Sequence, residues 1–410
     1  MAYSSDVLIV GAGIGGLSLG LRLAAKGCRV RVLQPYDSTP PVRRPEMVQP
    51  AGLQAFADLG LLDRLQAKNV ARVDRFYFSR IGGGRLCQVD YRVLDHPCPY
   101  ALITLPSQIL DLLLERAASA PVLCIHRGAR FTGVLRRGGQ VTGVKAVEGG
   151  QEEEFYARVT VGADGRGSRL REALGIACTV KQYRNDFLGL LVERPAGCDG
   201  AVHYYLGEGE ILGRFPCAPA LLCLLFMFPA GGLPAKDEKG LAAVKSRISA
   251  IDPGIEDALK ALTGWEQVSR LTAVRVRAAS WVTDGAVLMG DAAHACHPHV
   301  AQGSFQAMED GRVLAEVLDA CLKRGEYSAR ALAPYERIRR PVVERLQQVA
   351  NEYVWLWETK NPMLARLRDR IFRNIGEQPD LLRKVAATEA GIDPRPLTFR
   401  ERLRAVGLCA

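Results

Sequence analysis

Gly11-Ala12-Gly13-Ile14-Gly15-Gly16 decides how this chain reads. The apolar run Val7 to Val10 precedes it, and Ile14, Leu17, Leu21, Leu23 and Ala24 follow at helical spacing. The expected order is strand, tight turn, helix. Gly11 permits the turn, Gly13 lets the backbone approach a pyrophosphate, and Gly16 lets helix and strand pack closely. Ile14 opens the helix, whose free N–H groups and positive dipole end suit phosphates. Gly27 then ends the helix, and Cys28 to Leu33 reads as a second parallel strand. Gln34 stands at that strand's end, where the ribose of a dinucleotide is expected. Glu or Asp is usual in that place; a Gln oxygen accepts one ribose hydroxyl bond without their charge.

Two more glycine-bearing segments follow, each at the end of a strand-like run: Gly162-Ala163-Asp164-Gly165, and Gly290-Asp291-Ala292-Ala293-His294. Strand-like stretches lie before the first of these at Arg75 to Ser79 and Arg85 to Val89, and between the two at Val202 to Leu206, Ile211 to Phe215 and Leu221 to Phe228. Helices are expected from Pro50 to about Lys68 with a break at Gly60, from Ile109 to Ala118, and from Ala235 to Leu262. The fold class is therefore α/β. A Rossmann-like dinucleotide-binding domain (residues 1–71, 101–178 and 270–345) is interleaved with an antiparallel-sheet domain (72–100 and 179–269), and residues 346–410 form a helical C-terminal region.

A chain of 410 residues with 48% hydrophobic content can bury two cores. Its eleven cysteines are odd in number, form no C-x-x-C pair and lie mostly in apolar runs, so they read as thiols in a reducing cytosol. No basic segment precedes Val7, Asp6 leads in, and no other apolar run reaches the ~18 residues of a spanning helix. A cytoplasmic protein is expected, with peripheral membrane contact as the open question.

In this order and spacing the three segments resemble the flavin-contacting motifs of the class A flavoprotein monooxygenases, the para-hydroxybenzoate hydroxylase type, over residues 1 to about 345. The third continues as Ala295-Cys296-His297-Pro298-His299-Val300-Ala301-Gln302-Gly303-Ser304-Phe305. The resemblance implies bound FAD, with Asp291 and Gly290 at the ribityl and pyrophosphate region and the loop Pro298, Gln302, Gly303, Ser304 and Phe305 at the ring. It implies that Asp164 and Gly165 meet FAD or NAD(P)H and that Arg44 meets the flavin. The chain departs from the family pattern at Ala301, usually Gly, and at Phe305, often Asn, which implies a bulkier and less polar loop.

The chemistry implied is oxygen insertion: NAD(P)H reduces FAD, O2 adds to give a flavin hydroperoxide, and an electron-rich aromatic or heteroaromatic substrate attacks it. Candidate substrates are phenols, quinolones and quinone precursors, hydroxylated or epoxidised in an apolar pocket. His203, Tyr205, Arg214 and Phe226 are the candidate substrate-binding residues in the strand-rich block. Arg44, His297, Pro298 and His299 are the catalytic candidates, with either imidazole as acid or base. Three of the six histidines fall between positions 294 and 299. Because that run begins inside a flavin motif and has Pro298 within it, it reads as a polar loop and not a metal site. The alternatives are a flavin-dependent reductase acting on a prenyl chain and a non-catalytic flavin-binding redox protein. Trp355-Leu356-Trp357 lacks the Ile-Pro of a halogenase motif.

The charge excess is local. From Lys323 onward there are 18 basic against 11 acidic residues, but no aromatic-basic interleaving that would suit nucleic acid. Met363, Leu364, Leu367, Ile371, Phe372 and Ile375 recur at helical spacing among arginines. This basic amphipathic helix either docks on the protein's own body, the favoured reading, or rests on an anionic bilayer.

Overall fold

A computed structural model describes residues 4–37, 44–228 and 232–409. Its first sheet is built on five parallel strands in the order Ala286–Leu288, Gln151–Gly162, Ser5–Val10, Val30–Gln34 and Leu123–Arg127. Val7 to Val10 of the central strand are buried, as an apolar run requires when both faces are covered. Register places Val10 opposite Leu33 and Gly162, and Gly162 opposite Leu288. Three segments far apart in sequence therefore finish at one edge of one sheet, the carboxyl edge where open α/β folds bind ligands. The helix Ile14–Ala25 covers one face and packs against the long helix Gly303–Arg324.

The second sheet has seven strands, in the order Val268–Ala278, Cys178–Glu193, Leu221–Phe228, Ile211–Ala218, Val202–Leu206, Arg75–Arg80 and Arg85–Asp90. Every pairing is antiparallel except that of Val202–Leu206 with Arg75–Arg80. The boundary expected near residue 270 falls within Val268–Ala278, which pairs with Cys178–Glu193 along its whole length. The helix expected to run from 235 to 262 is Glu238–Ile251, stopped at Asp252 because Pro253 cannot continue it, with a short turn Glu256–Leu259 after it.

Both faces of this sheet are apolar. One carries Leu188, Leu190, Leu212, Leu224 and Phe226 and is sealed by Val244 and Ile248 of helix Glu238–Ile251. The other carries Tyr183, Phe187, Tyr204, Phe215, Cys223 and Met227 and packs against Met47, Ala301 and the C-terminal helices. Those are Ala329–Trp357, Pro362–Glu377, Pro379–Glu389 and Phe399–Ala405. The first of them runs unbroken through the boundary expected at residue 346.

Helix Pro362–Glu377 docks on the protein. Ile371, Phe372 and Ile375 line an internal cavity, while Arg368 and Asp369 are buried as a pair, with Arg368 also donating to the Gly207 carbonyl. Its apolar stripe is thus half-buried against the protein from Leu364 to Ile375, with Met363 at the helix start left exposed, which favours the docking reading. Among the described residues no helix is long and apolar enough to cross a membrane.

Candidate active site

The turn after the first strand is built as its glycines require. Gly11 has φ +111°, and a Cβ there would sit 2.4 Å from the Ala163 carbonyl oxygen, so this turn rests on the second motif. At Gly16 a Cβ would lie 2.1 Å from the Gly11 oxygen, which is the close helix-turn contact. A Cβ at Gly13 would meet nothing within 4 Å, and the helix it precedes has no side-chain cap. Free amides, Ile14 first among the helical residues, therefore face open space. Gln34, at the neighbouring strand end, is buried with its Oε1 unpartnered. An orphaned acceptor beside such a cradle suits a ribose hydroxyl.

In the second motif Asp164 turns both carboxylate oxygens into its own loop, accepting from Ser168 Oγ at 2.6 Å and Leu170 N at 3.1 Å, while Gly165 takes φ +81°. Arg171 then bridges to the third motif, donating to the Ala292 carbonyl at 2.8 Å. In the third, Gly290 has φ +56° and donates its N–H to Asp310 at 2.8 Å. Burial alone would raise the Asp310 carboxyl, but His294 at 2.5 Å and Arg339 at 2.8 Å bring it down to about 2. This buried ion cluster fixes the turn that presents Asp291.

Asp291 is open to solvent, yet it lies so deep that desolvation raises its carboxyl against the pull of His294, Arg44 and Arg166. A solvent-reached carboxylate at the bottom of a cleft suits hydroxyl donors. Arg44 stands beside it, held by Glu46 at 2.8 Å, and Glu46 also accepts from Ser304 Oγ. Glu46, just two positions after Arg44, was not singled out from the sequence.

Gly303 begins a 22-residue helix with no side-chain cap, and a Cβ there would meet no atom within 4 Å. A positive dipole end thus opens beside Ser304 and Asp291. Gln302, expected at the cofactor, spends its side chain elsewhere: Nε2 donates to the Thr388 carbonyl at 2.7 Å. Phe305 packs toward Gly52 and Gly391, so its bulk is absorbed by protein instead of filling the cleft. Ala301 has φ +47°, ψ +36° and is, among the described residues, the one non-glycine with positive φ. The family's glycine preference there has its cause in this left-handed backbone.

The histidine loop faces the aromatic side of the second sheet. His297 meets Tyr183 ring to ring at 4.5 Å, and His299 meets Phe187 at 5.5 Å and Trp357 at 5.0 Å. Glu358 reaches both imidazoles, its Oε1 lying 2.8 Å from His299 Nε2 and 3.2 Å from His297 Nε2, and its Oε2 accepts from Asn185 at 2.6 Å. Burial would raise this carboxyl, but the two imidazoles hold it at about 2; burial lowers His297 to about 4. These three residues have the donor set of a divalent-metal site. However, His297 Nδ1 accepts the His299 N–H at 3.3 Å, which leaves the proton of the neutral ring on Nε2, the atom facing Glu358. Of the two rings, only His299 Nε2 makes a hydrogen bond to Glu358; His297 Nε2, 3.2 Å from the same oxygen, is buried without a hydrogen-bond partner. Sequence could not reveal Glu358, 59 residues beyond His299.

The structure does not bring His203, Tyr205, Arg214 and Phe226 to this loop. All four lie on the opposite face of the second sheet. His203 pairs with Asp199 at 2.8 Å, Arg214 with Asp252 at 2.8 Å and Asp199 at 3.2 Å, Tyr205 donates to Asp252, and Phe226 packs beneath helix Glu238–Ile251. Period-two alternation gives the cleft face to their neighbours Tyr204, Phe215, Cys223 and Met227 instead.

Comparison with known proteins agrees with this geometry. A family described as an FAD binding domain matches residues 4–350. The chain is 30% identical over 404 residues to 6-methylpretetramide 4-monooxygenase of Streptomyces rimosus, covering 97% of this chain and 96% of that one. Among solved structures, p-nitrophenol 4-monooxygenase of Pseudomonas putida superposes with TM-score 0.81 at 20% identity, covering 97% of this chain and all of the other. PqsL of P. aeruginosa in complex with 2-aminobenzoylacetate gives 0.77 at 23%, covering 88% and 98%. The motif order, the sheet edge they share and these matches have one reading: the chain belongs to the FAD-binding class A flavoprotein monooxygenases.

Proposed function

We propose that this flavoprotein monooxygenase uses NAD(P)H and O2 to hydroxylate or epoxidise an apolar, electron-rich aromatic or heteroaromatic molecule. The observation that carries the reading is the charge-poor aromatic face of the second sheet, whose Tyr183 and Phe187 meet the histidine loop and which continues through Tyr204 and Phe215. Such a wall favours a flat apolar ring and excludes water. Bound FAD supplies the redox and oxygen-activating chemistry. Gly13 and the uncapped amides after it hold the pyrophosphate, Gln34 Oε1 takes a ribose hydroxyl, and Asp291 accepts from the sugar-alcohol chain. The helix end at Gly303 favours negative charge on the ring. Arg44, steadied by Glu46, is a candidate for coupling reduction to oxygenation. His299 donates through Nε2 to Glu358, which leaves Nδ1 free to accept a proton from a substrate hydroxyl. Pro298 fixes the loop's entry, and His297, neutral above its lowered pKa, supports it.

The test incubates the FAD-loaded protein with NADH or NADPH, O2 and panels of phenols, quinolones and quinone precursors, followed by mass spectrometry. The expected result is substrate-stimulated NAD(P)H consumption with a gain of one oxygen in product. A gain of two hydrogens without oxygen would establish a prenyl-type reductase instead. Lack of stimulation by every panel member would refute the reading.

A further inference from the structure

Beside the histidine loop lies the cavity lined by Phe372, and it holds a carboxylate, Glu389, that the oxygenation reading does not use. It has a volume of about 130 Å³ and lies between the strands Arg75–Arg80 and Arg85–Asp90, the helices Ala329–Trp357, Pro362–Glu377 and Pro379–Glu389, and the segment 395–397. That is close to the ~150 Å³ at which an apolar protein cavity accepts a benzene ring, so the space suits one substituted ring. Its walls are aromatic: Trp357 stacks on Tyr353 at 5.0 Å, and Phe78 contacts Trp357 at 5.6 Å and Phe372 at 5.1 Å.

The polar groups at its edge are satisfied with one exception. Arg395 is held by both oxygens of Asp393 at 2.7 and 2.8 Å, and Glu352 by Arg402 at 2.6 Å. Glu389 has the Tyr353 hydroxyl beside it and no described cation acting on it; burial pushes its carboxyl up to about 7. A half-buried acid at the cavity wall, without a described counter-ion and among aromatic faces, is the complement of an organic cation, which gains both an ion pair and cation–π contacts. The cavity also adjoins the flavin loop, since Gln302 donates to the Thr388 carbonyl and the Trp357 ring lies against His299.

The geometry points to a binding site for a small aromatic amine: Glu389 holds the ammonium, and Phe78, Tyr353, Trp357 and Phe372 enclose the ring. The site stands apart from the oxygenation reading, because occupancy is measured without turnover.

Calorimetric titration of the FAD-loaded full chain with 2-phenylethylamine, and with 2-phenylethanol as its uncharged counterpart, tests this. The amine should bind saturably and at least tenfold tighter than the alcohol. Glu389→Gln should weaken the amine tenfold or more and leave the alcohol within twofold, while Phe372→Trp, which fills the space, should abolish both. Flavin absorbance of each variant confirms that it is folded and loaded. Absence of saturable amine binding to the unaltered protein, equal affinity for amine and alcohol, or full amine affinity in a flavin-loaded Glu389→Gln protein would each overturn the assignment. The first two comparisons need no variant to fold.

Discussion

At Asp291 a single carboxylate is placed to receive hydroxyl donors at the foot of the cleft. Asp291→Ala would leave a flavin hydroxyl unpaired, at a cost of ~1–3 kcal/mol, or about five- to 150-fold in the FAD dissociation constant measured by fluorescence titration. Ala301 holds a left-handed backbone at φ +47°. Ala301→Gly relieves its Cβ clash, and the expected gain is up to ~1 kcal/mol in chemical denaturation, reduced by the greater freedom glycine gives the unfolded chain. Residue identities were legible at Gly11, Gly13 and Gly16 because a motif with fixed spacing carries its own geometry. Glu46 and Glu358 were not legible: each acts through a partner that only the tertiary fold brings near, Arg44 and Ser304 for the first, His297 and His299 for the second.

Helices and strands showed a different limit. Leu221–Phe228 is apolar at every position, so alternation told the two faces apart without saying which one met the cofactor cleft. That choice was made by helix Glu238–Ile251, which seals the face carrying Leu224 and Phe226. Helix Pro362–Glu377 was legible as amphipathic, and its partner was not. Since Leu364, Leu367, Ile371, Phe372 and Ile375 are each half-buried against the protein, sedimentation with anionic and neutral vesicles at low salt is expected to show no selective binding. Asp369→Ala would leave Arg368 buried without its counter-ion, and loss of ~3–5 kcal/mol is expected in denaturant titration. The join between the histidine loop and helix Ala329–Trp357 should make stability acid-sensitive. His297 titrates at about 4 when folded against an ordinary 6.5, so the folded chain binds fewer protons between those values. Stability is therefore full above pH 6.5 and falls as pH drops toward 4; Glu358, at about 2 against 4.5, extends the loss to lower pH. Melting curves from pH 7.5 to 4 check this, and His297→Asn should flatten the upper part of the fall.

On the scale of the whole molecule, cofactor and fold are linked. FAD at a hundred times its dissociation constant should stabilise the protein by ~2.7 kcal/mol, seen as a rise in melting temperature that FMN does not reproduce. The interleaving of two sheets was legible from the order of glycine segments and strand-like runs, whereas the packing of the C-terminal helices on the second sheet had no local signature. The strand at the middle of the parallel sheet is made soon before its neighbour Val30–Gln34, whereas the strands that complete the cleft come much later: Gln151–Gly162 on its other side, then Ala286–Leu288 beyond that, and after them Thr388, on which the flavin loop leans. A ribosome halted ahead of Ala286 therefore exposes a pyrophosphate turn with no cleft around it. Flavin capture is therefore expected late in biogenesis, and riboflavin starvation should show itself as a pool of fully translated chains that proteases clear before they ever turn yellow.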